Sequence, residues 1–292
     1  MTDEQAIEIF SENLQILSDR TKDTERQREI CVRQLLDRLC ISQSAPSPRD
    51  CYDAFQRIVT SSRPSDRALL CLSAFEASGV GEIPSYDFFF PATEETPTQI
   101  HGKIALVRNR LNERAYQIFS KAITAAKGYE LPSFSGTCED VFDNRCEFGI
   151  LPLENTTDGR LFGFYGMLDR YELRICAACH LEPENAEGSV RYALVGKKLP
   201  SRIPKGVEWN LECAIVTQIG NFPTDILEIA PLFDAELLKI DSLPLQYDDR
   251  LQKIYFTFRL PASKAAALHF YFTTEYARYS LLGVYPILTA KA

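Results

Sequence analysis

The chain has 292 residues, room for about two domains or three small ones. Apolar residues make up 45% and charged residues 25%, which excludes a mainly disordered chain, a collagen-like fibre and a small disulfide scaffold. The net charge of -8, with no basic stripe, argues against a nucleic acid partner.

Up to about Phe90 the pattern is helical. Ile7, Phe10, Leu14 and Leu17 recur at helical spacing, and Ile30, Val32, Leu35, Leu36 and Leu39 do so again. The stretch 42–49, with two prolines and several serines, reads as a loop. Helical pattern returns over 51–59 and 66–77, and Gly79 and Gly81 close it. This predicts a bundle of about four helices, a helical domain over 1–95. Pro91 to Pro97 (PATEETP) is the linker candidate.

The next zone alternates strand and helix, as an α/β unit does. Strands are predicted at 103–107, 148–153, 173–179 and 190–195. An amphipathic helix is predicted over 112–127, and a short helix starts at Cys138. From Val207 the order becomes β-α-β-β-α-β, the split-βαβ, ferredoxin-like plan. Ile254, Phe256, Phe258 and Leu260 fall on one side of a strand and Lys253, Tyr255, Thr257 and Arg259 on the other, predicting a half-buried sheet. The domains predicted here are 101–200 and 205–292.

The nine cysteines are odd in number and scattered, and no run of 18 apolar residues exists. No basic start followed by an apolar stretch is present, so a cytoplasmic protein without membrane contact is expected. Most cysteines should then be small buried hydrophobes. Cys176-Ala177-Ala178-Cys179-His180 matches CxxCH, but the two cysteines of a strand at that spacing should face opposite ways, which is poor for chelation. His101, His180 and His269 lie apart and form no catalytic motif. Phe88 to Phe90 and Phe270-Tyr271-Phe272 read as core or interface. No metal site and no cofactor is predicted.

Two stretches carry a resemblance. FGILPLENTTDG, 148–159, resembles the YGVVPIENSxxG strand-and-loop signature of the prephenate dehydratase family. Leu282-Gly283-Val284-Tyr285-Pro286 resembles the LGSYP that ends the ACT domain of the same enzymes, and Lys239 to Pro244 resembles their KIESRP. The resemblance implies a periplasmic-binding-protein-like α/β lobe followed by an ACT-like regulatory domain. It also implies a small aromatic carboxylate or amino acid as ligand, and a homodimer through the ACT-like domain. It points to Glu154, Asn155, Thr156 and Arg191 as substrate-pocket candidates, and to Thr224, Ile226, Asp241 and Ser242 as effector-binding candidates. Glu154 and Asn155 can equally be structural, holding a tight strand-to-loop turn.

The chain departs from the family where the chemistry sits. Prephenate is a dianion that must lose a hydroxyl, so its site needs oxyanion donors and an acid. The family's Gly-rich GPxGTFS loop aligns with Arg108 to Arg114, which keeps neither glycine nor hydroxyl. Its Thr-Arg-Phe motif is Val190-Arg191-Tyr192 here, so the hydroxyl is gone and Arg191 alone could grip a carboxylate. Only the stretch 160–189 separates the ENTTDG loop from Val190, too short for the family's second lobe. In the ACT-like part, Thr224-Asp225-Ile226 stands where the family has a glycine, and Leu243 where it has an arginine. Asp53 to Arg63 faintly resembles the last helix of a chorismate mutase domain. The leading expectation is a non-catalytic relative that binds or senses an aromatic ligand. The alternatives are an active prephenate dehydratase with a rebuilt site, and a protein that self-assembles through its ACT-like sheet.

Overall fold

The computed structural model describes residues 47–56, 63–78, 102–182, 188–200, 202, 206–245 and 247–290, with a few positions between 20 and 30. The chain divides into two compact units, 1–80 and 81–292. In the first unit, α1 (Pro48–Gln56) and α2 (Pro64–Ser78) are described. Each opens on a proline, whose missing N–H is one the first helical turn would leave unpaired anyway. The Ser47 hydroxyl accepts from the Asp50 amide at 3.2 Å and caps α1. Pro48 therefore begins a helix rather than ending the loop expected over 42–49. The stripes at 7–17 and 31–39, the linker 91–97, His101 and Phe88 to Phe90 lie outside the described residues.

The second unit is built on two sheets. The first contains β1 (Lys103–Val107), β2 (Lys127–Leu131), β3 (Phe148–Asn155), β4 (Gly159–Arg160), β5 (Arg174–Leu181) and β6 (Val190–Gly196). Its order is β2-β1-β3-β6-β5, with β4 paired to β3. The strands β2, β1 and β3 run parallel, and β6 and β5 close the sheet antiparallel. Helix α3 (Arg110–Phe119) covers one face through Ala115, Ile118 and Phe119. Helices α4 (Phe134–Phe142) and α5 (Phe162–Arg170) cover the other.

Several expectations shift here. The helix expected over 112–127 starts two residues early, because the Asn109 side chain caps it by accepting from the Asn112 amide at 2.8 Å. It ends at Phe119, followed by one 3-10 turn, and Ala125 turns the chain at φ 55 into β2. Strand β2 (KGYEL) is an exposed edge without an apolar face, so periodicity does not reveal it. Helix α4 begins four residues before Cys138, capped by the Ser133 hydroxyl accepting from Gly136 N at 3.1 Å. In β5 the register slips between Ile175 and Ala177. This bulge puts Cys176 and Cys179 on the same α3-covered face, not on opposite faces. Both are buried, as are Cys51, Cys71, Cys138, Cys146 and Cys213. Burial pushes the Cys138 and Cys179 thiols up to about 12.

The second sheet holds β7 (Trp209–Gln218), β8 (Glu236–Leu245), β9 (Asp248–Leu260) and β10 (Tyr279–Pro286), all antiparallel in the order β10-β7-β9-β8. Helices α6 (Asp225–Ile229) and α7 (Ala262–Glu275) complete the β-α-β-β-α-β order. Phe258 meets Phe272 of α7 with ring centroids 5.8 Å apart, so the Ile254, Phe256, Phe258, Leu260 side is the helix-covered face. The opposite face is not solvated as a half-buried sheet would be. Tyr255 and Thr257 are buried, and Ala214, Tyr255, Leu282 and Tyr285 share one core cluster with Leu151, Tyr165 and Ile175 of the first sheet's layer. Of its polar residues, Thr257 accepts from Arg160 of the first sheet, Lys253 pairs with Asp169 of α5, and Arg259, nearer the rim, pairs with Glu236 of β8.

The two sheets also join at their edges. A Cβ on Gly283 would come within 2.4 Å of the Ile175 carbonyl oxygen, so only glycine lets β10 lie this close to β5. Beyond it, Ile287 bridges Ala178, and the Leu288 amide donates to the Ala178 carbonyl at 2.7 Å. Among the described residues, no helix is long and apolar enough to cross a membrane.

Candidate functional site

The strongest concentration of charge lies where the two sheets face each other. Glu154 is at the end of β3 and pairs in register with Arg191 of β6 and Arg160 of β4. Glu212 sits in the middle of β7, on the face opposite Leu211 and Cys213, and is fully buried. Asp241 and Lys239 are two residues apart on β8, hence on one face.

These side chains close a ring of alternating charge. Lys239 Nζ lies 2.5 Å from Glu154 Oε1, and Arg191 Nε lies 3.3 Å from Glu154 Oε2. Arg191 Nη1 donates to Glu212 Oε2 at 2.9 Å. Arg160 pairs with the other Glu212 oxygen and, through Nε, with Asp241 Oδ2 at 2.7 Å. Asp241 returns to Lys239 at 3.9 Å. Three cations and three carboxylates thus neutralise one another. The ring is dry at Arg160, Arg191 and Glu212, and about a quarter exposed at Glu154, Lys239 and Asp241.

Neutral groups supply further hydrogen bonds, as buried charges require, although Arg191 Nε is held near Glu154 by charge alone, without a hydrogen bond. The Tyr165 and Tyr285 hydroxyls each donate to Glu212 at 2.6 Å, and each accepts from Arg191. Arg160 donates to the Thr257 hydroxyl at 3.0 Å and lies over the Tyr165 and Tyr255 rings. Burial alone would raise the Glu212 carboxyl, but Arg191 and Arg160 hold it far below the usual carboxylate range. Burial pushes the Tyr165 and Tyr285 phenols well up, so both stay protonated at neutral pH. A permanently ionised Glu212 beside protonated phenols and quenched guanidiniums neither accepts nor releases a proton near pH 7.

The other candidates take local roles. Asn155 Oδ1 accepts from the Asp158 amide at 2.5 Å and its Nδ2 donates to the Asp158 carboxylate, which closes the β3–β4 turn. The Thr156 hydroxyl accepts from the Ser189 amide at 3.2 Å, and the Thr156 amide donates to the Ser189 carbonyl. Thr224 is exposed just before α6 and caps nothing with its side chain, while Ile226 is buried in the core. Ser242 is exposed on β8. Glu154, Arg191 and Asp241 therefore come together, although Asp241 belonged to the other candidate set. Arg160, Glu212, Tyr165 and Lys239 complete the cluster and were not among the predicted site residues. The available signal was Glu212 itself, a lone acid inside the apolar strand WNLECAIV. His180 stands beside Arg191 on β5, and burial and that guanidinium both lower its pKa. Among the described residues, no group of three or more His, Cys, Asp or Glu side chains is placed to hold a metal ion.

No protein-family model matches the sequence, and no curated protein matches it. Solved structures do. The prephenate dehydratase from Streptococcus mutans superposes with a TM-score of 0.53 at 19% identity, over 64% of this chain and 100% of that one. A quorum-quenching acylase follows at 0.46 and 18%, over 63% of this chain and 94% of that one. The Arthrobacter aurescens prephenate dehydratase, crystallised with L-Phe, gives 0.45 and 12%, over 63% and 89%. The chain shares its fold with prephenate dehydratase.

Proposed function

We propose that the protein is a divergent prephenate dehydratase-like protein that no longer catalyses the dehydration and acts by binding or sensing an aromatic amino acid or related carboxylate. One observation carries the non-catalytic part. Arg191, the cation that the resemblance would set against a substrate carboxylate, is buried between Glu212 and Glu154. Freeing it for a ligand would strand Glu212 in the interior with one fewer counter-charge, a cost of several kcal/mol. The described residues between Gly159 and Val190 also add only α5 and β5 to the existing layers, in support of a missing second lobe. The ligand class rests on the motif resemblance and the shared fold.

Phenylpyruvate formation from prephenate tests this reading. The expected result is no turnover above background. Turnover that disappears in Glu154→Ala would overturn it. Thermal shift against phenylalanine, tyrosine, prephenate and chorismate tests the ligand. Stabilisation by about 2.7 kcal/mol is expected at 100 times the dissociation constant, and none with any of the four would reject the binding role. A second reading, self-assembly through the ACT-like sheet, draws on the partly exposed Leu238, Ile240 and Leu243 of β8, the sheet's edge strand.

A further inference from the structure

The ring of charges crosses four times between the two sheets. Lys239 and Asp241 of β8 enter it from the second sheet, as does Glu212 of β7. Glu154, Arg191 and Arg160 enter it from β3, β6 and β4 of the first. Each charge has an opposite charge on either side, so no member can leave without exposing two neighbours to a like-charged or vacant side. The three buried members have no water to replace a lost partner, whereas the three quarter-exposed members do.

We propose that this closed ring is a clasp that couples β8 to the β3–β4 turn, so that loosening either one loosens the other across the sheet boundary. The path runs from Asp241 through Arg160 and Glu212 to Arg191 and Glu154, and Lys239 closes it on the solvent side. It works as a physical coupling element because its interior links are dry and rigidly hydrogen-bonded, while its outer links exchange with water at little cost. Nothing in it depends on whether prephenate is turned over. A ligand or partner that captured Lys239 or Asp241 on the second sheet would be felt at Glu154 on the first.

Amide hydrogen exchange of the full chain, read by mass spectrometry, tests the coupling. Asp241→Asn removes one charge of the ring at a position about a quarter exposed and keeps the side chain's shape. It should speed exchange at least tenfold in the peptides covering 153–160 and 190–196, as well as in β8. Coupling is reciprocal, so Glu154→Gln should speed exchange in 236–245 by a similar factor. Glu236→Gln removes an exposed partner of Arg259 on the same strand, outside the ring, and should leave 153–160 unchanged. Changes confined to the mutated sheet, or transmitted in one direction only, would overturn the proposal, as would an equal effect from Glu236→Gln.

Discussion

Glu212 shows how much one buried carboxylate can decide. It accepts from two guanidiniums and two phenols, so it forms the hub between β4, α5, β6, β7 and β10. Replacing it with glutamine keeps the shape and removes the charge, leaving two arginines facing each other in the interior. Glu212→Gln should cost about 3–5 kcal/mol in urea unfolding. The pH dependence has a definite sign. The folded carboxyl titrates below its unfolded value, near 4.3, so its stabilisation is complete above that value. It is lost as the pH falls from there toward the folded pKa, because the unfolded chain then binds the extra proton. The acid limb of the wild-type stability curve below about pH 4.3 should therefore be steeper than that of Glu212→Gln. Parallel limbs would remove Glu212 from the account.

At the scale of elements, legibility follows the physics of each segment. Strands β3, β6, β8 and β9 are visible in the sequence because each has an apolar face at period two or is apolar on both. Strand β2 is not, since KGYEL is exposed on every residue but the last. Helix α5 is hidden by its shortness and by Gly163 and Gly166 within FGFYGMLDR. The family motifs were legible as words, and the structure gives part of their spelling a cause. The glycine of LGVYP admits the Ile175 carbonyl, and its tyrosine reaches Glu212. The site was only half legible, because Arg160 and Glu212 become partners through a sheet-to-sheet contact that no local pattern encodes. Gly283→Ala tests the close approach. The added methyl overlaps backbone, so a loss of about 1–3 kcal/mol is expected, with faster amide exchange in both β5 and β10. A neutral substitution would mean that the strands can separate at no cost.

Over the whole molecule, the second unit behaves as one body with a shared core. Its two sheets are held by the ring, by the Lys253–Asp169 pair at 2.6 Å, and by the aromatic contacts of Phe162, Tyr165 and Tyr255. The outer edge at β8 stays open, with Ile240 40% exposed. If that edge pairs two copies, as the proposed homodimer requires, light scattering should return the mass of two chains, and Ile240→Lys should return one. A single-chain mass for the unmutated protein would remove the dimer.

The opposite boundary is treated differently. β5 ends the first sheet, and its outward backbone groups would form an uncapped template for any passing strand. The run from Ile287 to Leu288 lies along that border and occupies the Ala178 carbonyl. The last described stretch of the chain is therefore a stopper. A protein shortened to Pro286 would keep every member of the charged ring, yet it would expose a sticky border and aggregate on concentration.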